Sequence, residues 1–130
     1  MDMMVGSDFP TRCLGELVRE RGIFSIEEMV RQFTDVPARL YGLRDRGRLA
    51  PGAMADIAIF DPATVNAGPL RTVADLPGGG ARLKTEAIGM HHVLVAGEAL
   101  VSGGKLTGHR GGRLLRSGRD SETVPAREAA

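Results

Sequence analysis

Gly47-Arg48-Leu49-Ala50-Pro51-Gly52-Ala53-Met54-Ala55-Asp56-Ile57-Ala58-Ile59-Phe60-Asp61-Pro62 places a turn, a strand and a stop in sixteen residues. Pro51-Gly52 is a tight-turn dipeptide, in which proline supplies a fixed φ and glycine a positive one. Asp61-Pro62 ends the run, because proline has no N–H to donate to a sheet ladder. Between them Ala55, Ile57 and Ile59 alternate with Asp56, Ala58 and Phe60, the period of a strand. Both faces are mostly apolar, which predicts a strand covered on both sides. Upstream of this stretch the pattern is helical. Downstream it is one of strands, turns and a polar tail.

Working back, Arg12 to Arg21 carries Leu14, Leu17 and Val18 at i, i+3 and i+4, a helix with one apolar stripe. Gly22 follows as the terminating glycine. Ser25 with Glu28 three residues on forms a capping-box pattern, and Phe24 is placed to staple onto Met29. Ile26, Met29, Val30 and Phe33 make the buried stripe of that second helix. Thr34-Asp35 ends it and offers a cap to a third, shorter helix with Pro37 in its first turn and Gly42 at its close. Before all of these, Met3-Met4-Val5 is a short apolar piece stopped by Gly6-Ser7-Asp8.

Working forward, residues 62–87 read as a long loop with Gly68-Pro69, Pro77-Gly78-Gly79-Gly80 and isolated Leu70, Val73 and Leu76. A loop of that length is expected to be functional, mobile or packed against something else. His91 to Ala96 reads as a strand, Gly97-Glu98 as a two-residue turn and Ala99 to Ser102 as its partner, a β-hairpin. Gly103-Gly104-Lys105 turns the chain again. From Gly108 onward the apolar residues thin to Leu114, Leu115 and Val124, so the last ten or more residues are expected to lack order.

Composition narrows the class. With 42% hydrophobic residues, no tryptophan, one tyrosine and four phenylalanines, the core has to be aliphatic. Eighteen glycines point to many turns and short elements. Seventeen basic residues against sixteen acidic ones give a net charge of +1 without blocks of one sign, which argues against a nucleic-acid partner. Arg110, Arg113, Arg116 and Arg119 form a basic series, but without interleaved aromatics they read as a solvated strip. The single cysteine, Cys13, excludes an internal disulfide and fits a reducing compartment. No run approaches the roughly eighteen apolar residues of a membrane span, and the start has no signal-like apolar region. The expectation is a cytoplasmic chain that does not enter a membrane.

Taken together, Phe9 to Glu20, Ser25 to Val30, Thr34-Asp35-Val36-Pro37-Ala38 with Gly42-Leu43, Asp45-Arg46-Gly47, Pro51-Gly52 with Ala55-Asp56-Ile57, Phe60-Asp61-Pro62 and Val93 to Gly97 resemble the C-terminal end of the N-acyl-D-amino-acid deacylases. These belong to the metal-dependent amidohydrolase superfamily, and the resemblance covers residues 5–115 in order. It implies a (β/α)₈ barrel that carries zinc and a small β-sandwich assembled from the two chain ends flanking the barrel. The implied chemistry is hydrolysis of a linear N-acyl amide by a metal-activated water. Segment 1–44 would then be the end of the barrel, 45–116 a share of the antiparallel β-sandwich, and 117–130 a disordered tail. The fold class expected is α+β.

Residues able to carry that chemistry are few. Ser7-Asp8 after an apolar piece matches the family's Ser-Asp at the end of the eighth barrel strand, where the aspartate handles the proton of the attacking water. The family usually continues through a longer loop with histidine, proline and arginine, whereas here Phe9-Pro10 follows at once. His91 and His92 are adjacent, so in a strand they face opposite sides and cannot share a metal, and His109 lies in a glycine-arginine segment. No H-x-H pair exists. Cys13 has no histidine within its helix to activate it and reads as a bland, partly buried thiol. Asp56 reads as a sandwich-edge carboxylate bonded to a backbone turn.

Asp8 is therefore the one catalytic candidate, by family carry-over, and no metal or other cofactor is expected for this chain alone. Two readings remain. In one, the chain is the C-terminal portion of a deacylase-like amidohydrolase and is inactive in isolation. In the other, it is a non-catalytic module that self-associates or binds a separately encoded barrel portion.

Overall fold

A computed structural model describes residues 8–125, so Met3-Met4-Val5 and the last residues of the expected tail, 126–130, lie outside the described residues. In chain order the elements are α1 (Phe9–Arg12), a π-helix (Cys13–Glu20), α2 (Ile26–Phe33), α3 (Asp35–Leu40), β1 (Ile57–Phe60), β2 (Asn66–Ala67), β3 (Arg71–Val73), a 3₁₀ turn (Pro77–Gly79), β4 (Arg82–Lys84), β5 (Ala87–Ile88), β6 (Met90–Val95), β7 (Glu98–Ser102) and β8 (Lys105–Leu106). The class is α+β, as expected. The chain forms two compact units, each drawing on two stretches: 1–26 with 61–89, and 27–60 with 90–130. Antiparallel pairing joins β1 to a strand some thirty residues further along the chain, which is why the second unit draws on two stretches.

The larger unit is organised by a four-stranded antiparallel sheet in the order β1-β6-β7-β8. Ala50 to Ala53 makes the expected turn, with Gly52 at φ 85° and the Ala53 N–H donating to Ala50 at 3.0 Å. Ile57 then pairs with Leu94, Ala58 with Val93 and Ile59 with His92 before a bulge shifts Phe60 onto Met90. The β6–β7 hairpin turns one residue earlier than the sequence pattern suggests. Val95 pairs with Glu98, so the turn residues are Ala96 and Gly97, both at positive φ, 52° and 86°. That pair of angles belongs to a type I′ turn, whose twist matches that of the flanking strands.

Helix α2 begins directly after Ser25, where the capping pattern places it. Thr34 departs from expectation. Its hydroxyl makes no cap for α3 and instead donates back to the Val30 carbonyl at 2.7 Å, sealing the end of α2. The end of α3 is a Schellman closure: Gly42 sits at φ 60°, its N–H donates to Arg39 at 3.1 Å, and the Leu43 N–H donates to Ala38 at 2.7 Å. The polar tail is tied down further than its composition suggests. Arg44 donates to the Asp120 carbonyl at 3.1 Å, Glu122 donates to Gly42 at 2.8 Å, and Leu43 and Ser121 form a bridge. Backbone bonds to Gly42 and Arg44 order residues 120 and 122 where hydrophobic burial alone would not.

In the smaller unit, α1 runs into the π-helix without interruption. The expected 3.6-residue stripe is replaced by a wider winding that buries Cys13, Leu14 and Gly15 and leaves Leu17 and Val18 half-buried. Gly15 faces the Asn66 side chain so closely that a Cβ there would lie 2.6 Å from its Cγ. The 62–87 loop is a correction to the sequence reading: it holds β2 paired with β5 and β3 paired with β4. Its two ends meet, the Asp61 N–H donating to the Gly89 carbonyl at 2.9 Å. Val65, 1% exposed, is the most buried side chain among the described residues. Among the described residues the buried apolar set is small, Cys13, Leu14, Met29, Ala38 and Val65, while Phe9, Tyr41, Leu49 and Leu106 are more than half exposed.

Candidate functional site

Asp8 stands at the start of α1, where Pro10 fixes the first turn and the Arg12 N–H donates to the Asp8 carbonyl at 2.9 Å. Its side chain is 5% exposed and does not cap the helix. It accepts from Arg12 instead, with Nε at 2.9 Å and Nη2 at 2.5 Å, both on Oδ2. The same guanidinium reaches Glu16 Oε1 at 3.1 Å, so one cation serves two carboxylates along a helical face. Asp8 raises the Arg12 pKa first through this hydrogen bond and then through its charge, which holds the guanidinium protonated. Sequence reasoning singled out Asp8 and passed over Arg12. The signal was the four-residue spacing across a helix start, which brings the two side chains onto one face.

This arrangement does not fit a zinc site. The Asp8 carboxylate is already neutralised by a guanidinium, and a second cation beside Arg12 would be repelled. Among the described residues no three His, Cys, Asp or Glu side chains converge as metal ligands would. His92 sits in the β1–β6 register opposite Ile59, His91 lies at the bulge outside that register, and His109 donates its backbone N–H to Thr107 Oγ1 at 3.3 Å. Cys13 is buried, and desolvation, with the Glu16 charge adding to it, pushes its thiol pKa up. A thiol held protonated is a poor nucleophile, in line with the bland role read from the sequence.

Arg19 is the second residue that sequence reasoning missed. From the π-helix it donates to the Val65 carbonyl at 2.6 Å and reaches that of Pro62 at 3.5 Å. It fastens the helix to the chain just before β2, and nothing in the local pattern of residues 12–21 announces that distant partner.

Asp56 does what the sequence suggested. Its Oδ1 accepts from the Ala96 N–H at 2.8 Å, and the Gly97 N–H donates to the Ala55 carbonyl at 3.0 Å, so Ala55-Asp56 clasps the hairpin turn. Its Oδ2 is bonded to Arg46, whose side chain is 12% exposed. Near the end of the described chain, Asp120 gathers three arginines. It accepts from the Arg116 N–H at 2.9 Å, from Arg119 at 3.0 Å and from Arg113 at 2.9 Å. The Arg116 backbone bond, then Arg119, hold the Asp120 pKa below the usual carboxylate value against the opposing effect of desolvation. Both are structural ties, with no free group poised for acid–base work.

The sequence profile of the Amidohydrolase family matches residues 3–101. The chain is 42% identical over 118 residues to an N-acyl-D-glutamate deacylase of Alcaligenes xylosoxydans xylosoxydans, which covers 91% of this chain and 22% of that protein. A D-aminoacylase from the same organism is 38% identical over 108 residues, covering 82% of this chain and 20% of the relative. A crystal structure of D-aminoacylase, described as defining a novel subset of amidohydrolases, superposes with a TM-score of 0.60 at 35% identity, over 77% of this chain and 19% of that one. The chain thus spans about a fifth of the length of the relatives it matches. The likeness to the deacylases, first read from motifs such as Phe60-Asp61-Pro62, runs through most of the sequence, and the chain belongs to the amidohydrolase family.

Proposed function

We propose that this chain is the C-terminal portion of a deacylase-type amidohydrolase that cleaves the linear amide bond of an N-acyl-D-amino acid, and that it does not catalyse the reaction by itself. The observation that carries the reading is the 42% identity to an N-acyl-D-glutamate deacylase over 91% of this chain. Two features support the inactive-alone half. The carried-over Asp8 is committed to Arg12, and would have to leave that guanidinium to take a proton from an attacking water. The exposed Phe9, Tyr41 and Leu49 suit a chain that works against apolar surface supplied by the other four-fifths of a relative's length.

That exposure also supports the alternative, a module that self-associates or docks onto a separately encoded barrel portion. One experiment tests both. The purified chain is assayed with N-acetyl-D-glutamate, alone and mixed with the N-acyl-D-glutamate deacylase lacking its matching fifth, with zinc supplied. No turnover alone and restored turnover in the mixture is the expected result. Turnover by the chain alone removes the inactive-alone claim. A dead mixture that the relative's own segment rescues leaves only self-association, which sedimentation of the chain then decides.

A further inference from the structure

The antiparallel register of β3 and β4 sets Arg71 directly opposite Lys84. Like charges at such a position repel and weaken a ribbon, and this ribbon is only three residues long on each strand. The neighbouring cation on β4 is treated differently: Arg82 donates to both oxygens of Asp75 at 2.7 Å, a bidentate pair. Lys84 has Glu86 at 3.9 Å, with its side chain 84% exposed, and only the charge of Asp75, whose two oxygens are already taken by Arg82. Arg71 makes no side-chain hydrogen bond or ion pair among the described residues. Two cations are thus held side by side with little to neutralise them.

They also share a cavity. A space of about 130 Å³ is lined by Pro69, Arg71, Val73, Lys84, Thr85 and Glu86. Arg71 and Val73 fall on one face of β3 by strand alternation, and Pro69 lines the same space, so the guanidinium shares it with two apolar side chains. The Thr85 hydroxyl is already used, donating to the Gly68 carbonyl at 2.8 Å. An apolar cavity of about 150 Å³ accommodates a molecule of benzene's size, roughly six non-hydrogen atoms. We propose that the Arg71–Lys84 pair and this cavity form a binding site for a short aliphatic carboxylate, the carboxylate bridging the two cations and the tail lying on Pro69 and Val73. A guanidinium receives phosphate as readily as carboxylate. The apolar flanks favour the anion with a hydrocarbon tail. The site stands apart from the hydrolytic reading, since neither cation is carried over from the family pattern.

The full 130-residue chain, ¹⁵N-labelled, is titrated by NMR with butyrate, with butyramide and with inorganic phosphate. Butyrate is expected to give saturable shifts at the amides of Arg71, Val73 and Lys84, with butyramide silent and phosphate weaker. Arg71→Gln and Lys84→Gln should each weaken butyrate by about tenfold or more, as expected for loss of a charge-assisted bond, while Arg48→Gln leaves it unchanged. Each of the two binding variants should melt no lower than the parent, because a like-charge contact is relieved. Absence of saturation, equal response to butyramide or to phosphate, or insensitivity to both substitutions would overturn the proposal. So would unfolding of both variants, which would make the pair a structural contact.

Discussion

The four-stranded sheet and the 61–89 excursion are built from the same kinds of residue and are held together in different ways. In the sheet, cohesion is spread along a ladder of β1, β6, β7 and β8, with the half-buried aliphatic side chains concentrated on the two central strands. In the excursion the strands are two or three residues long, and cohesion is concentrated at a few atoms: the Asp61–Gly89 closure, the Arg19 bonds to carbonyls, and close approaches to Gly15 and Gly89. A ladder loses little when one rung is lost. A structure held at points loses a large part of its stability when one point fails.

Gly89→Ala probes the sharpest of those points. Gly89 has φ 70°, and a Cβ there would lie 2.6 Å from the Val65 nitrogen and 2.8 Å from Thr64 Oγ1. Strain and clash together should cost about 3 kcal/mol. Hydrogen exchange should show the loss in residues 61–88, with the β6–β7 amides keeping their protection. Equal loss in both regions would break the contrast between them.

Asp56→Ala tests a place where the sheet, too, depends on a single side chain. Removing the carboxylate leaves the Ala96 N–H without its partner and strands the largely covered Arg46. A loss of about 2 kcal/mol in urea denaturation is expected, with Asp56→Asn costing less. Unchanged stability would mean that the ladder alone sets the hairpin.

Which of these features the sequence announces follows from the same contrast. The turn at Pro51-Gly52, the strand β1 and the β6–β7 hairpin are legible because each is encoded by neighbours in the chain, whereas the expected cover on both faces of β1 is not met, Ala58 and Ile59 being exposed. Asp56 was legible for a similar reason, as a carboxylate at a strand's start. The ribbons β2–β5 and β3–β4 were not, because Asn66 finds Ile88 and Arg71 finds Lys84 across gaps far longer than the strands themselves. The π-helix was hidden too: Leu14, Leu17 and Val18 satisfy an ordinary helical stripe, and only the contact of Gly15 with distant Asn66 explains why Gly15 is buried. At the candidate site, Asp8 was visible through the family pattern, whereas its capture by Arg12 is a matter of side-chain direction.

Ala96→Asn should act in the opposite direction. Alanine at φ 52° is strained, whereas asparagine accepts a left-handed conformation more readily and would create the Asn-Gly pair preferred in type I′ turns. A gain of roughly 0.5–1 kcal/mol, read as a higher denaturation midpoint, is expected. No gain would show that the Asp56 bond already absorbs the strain.

The smallest effect belongs to acid. Asp120 is ionised in the folded chain at pH values where an unfolded aspartate, with a pKa of about 3.9, takes up a proton. Its contribution is therefore fully present above about pH 4 and disappears as pH falls through the lower folded value. Asp120→Asn should flatten the stability profile in that acid window and leave its shape near neutrality unchanged. An identical acid slope in the variant would remove the arginine knot as its source.

The bond between Asp61 and Gly89 has a consequence for how such a chain changes over generations. It brings the two ends of a 29-residue excursion together, leaving the neighbouring Phe60 and Met90 as register partners. What lies between those ends can lengthen at small entropic penalty, since doubling a flexible loop adds only about 0.6 kcal/mol. The doorway makes the excursion a socket in the chain, into which insertions of different length and chemistry can be fitted while β1 and β6 keep their pairing. New binding surfaces would be expected to arise at that socket sooner than on the sheet, where each added residue shifts a whole register.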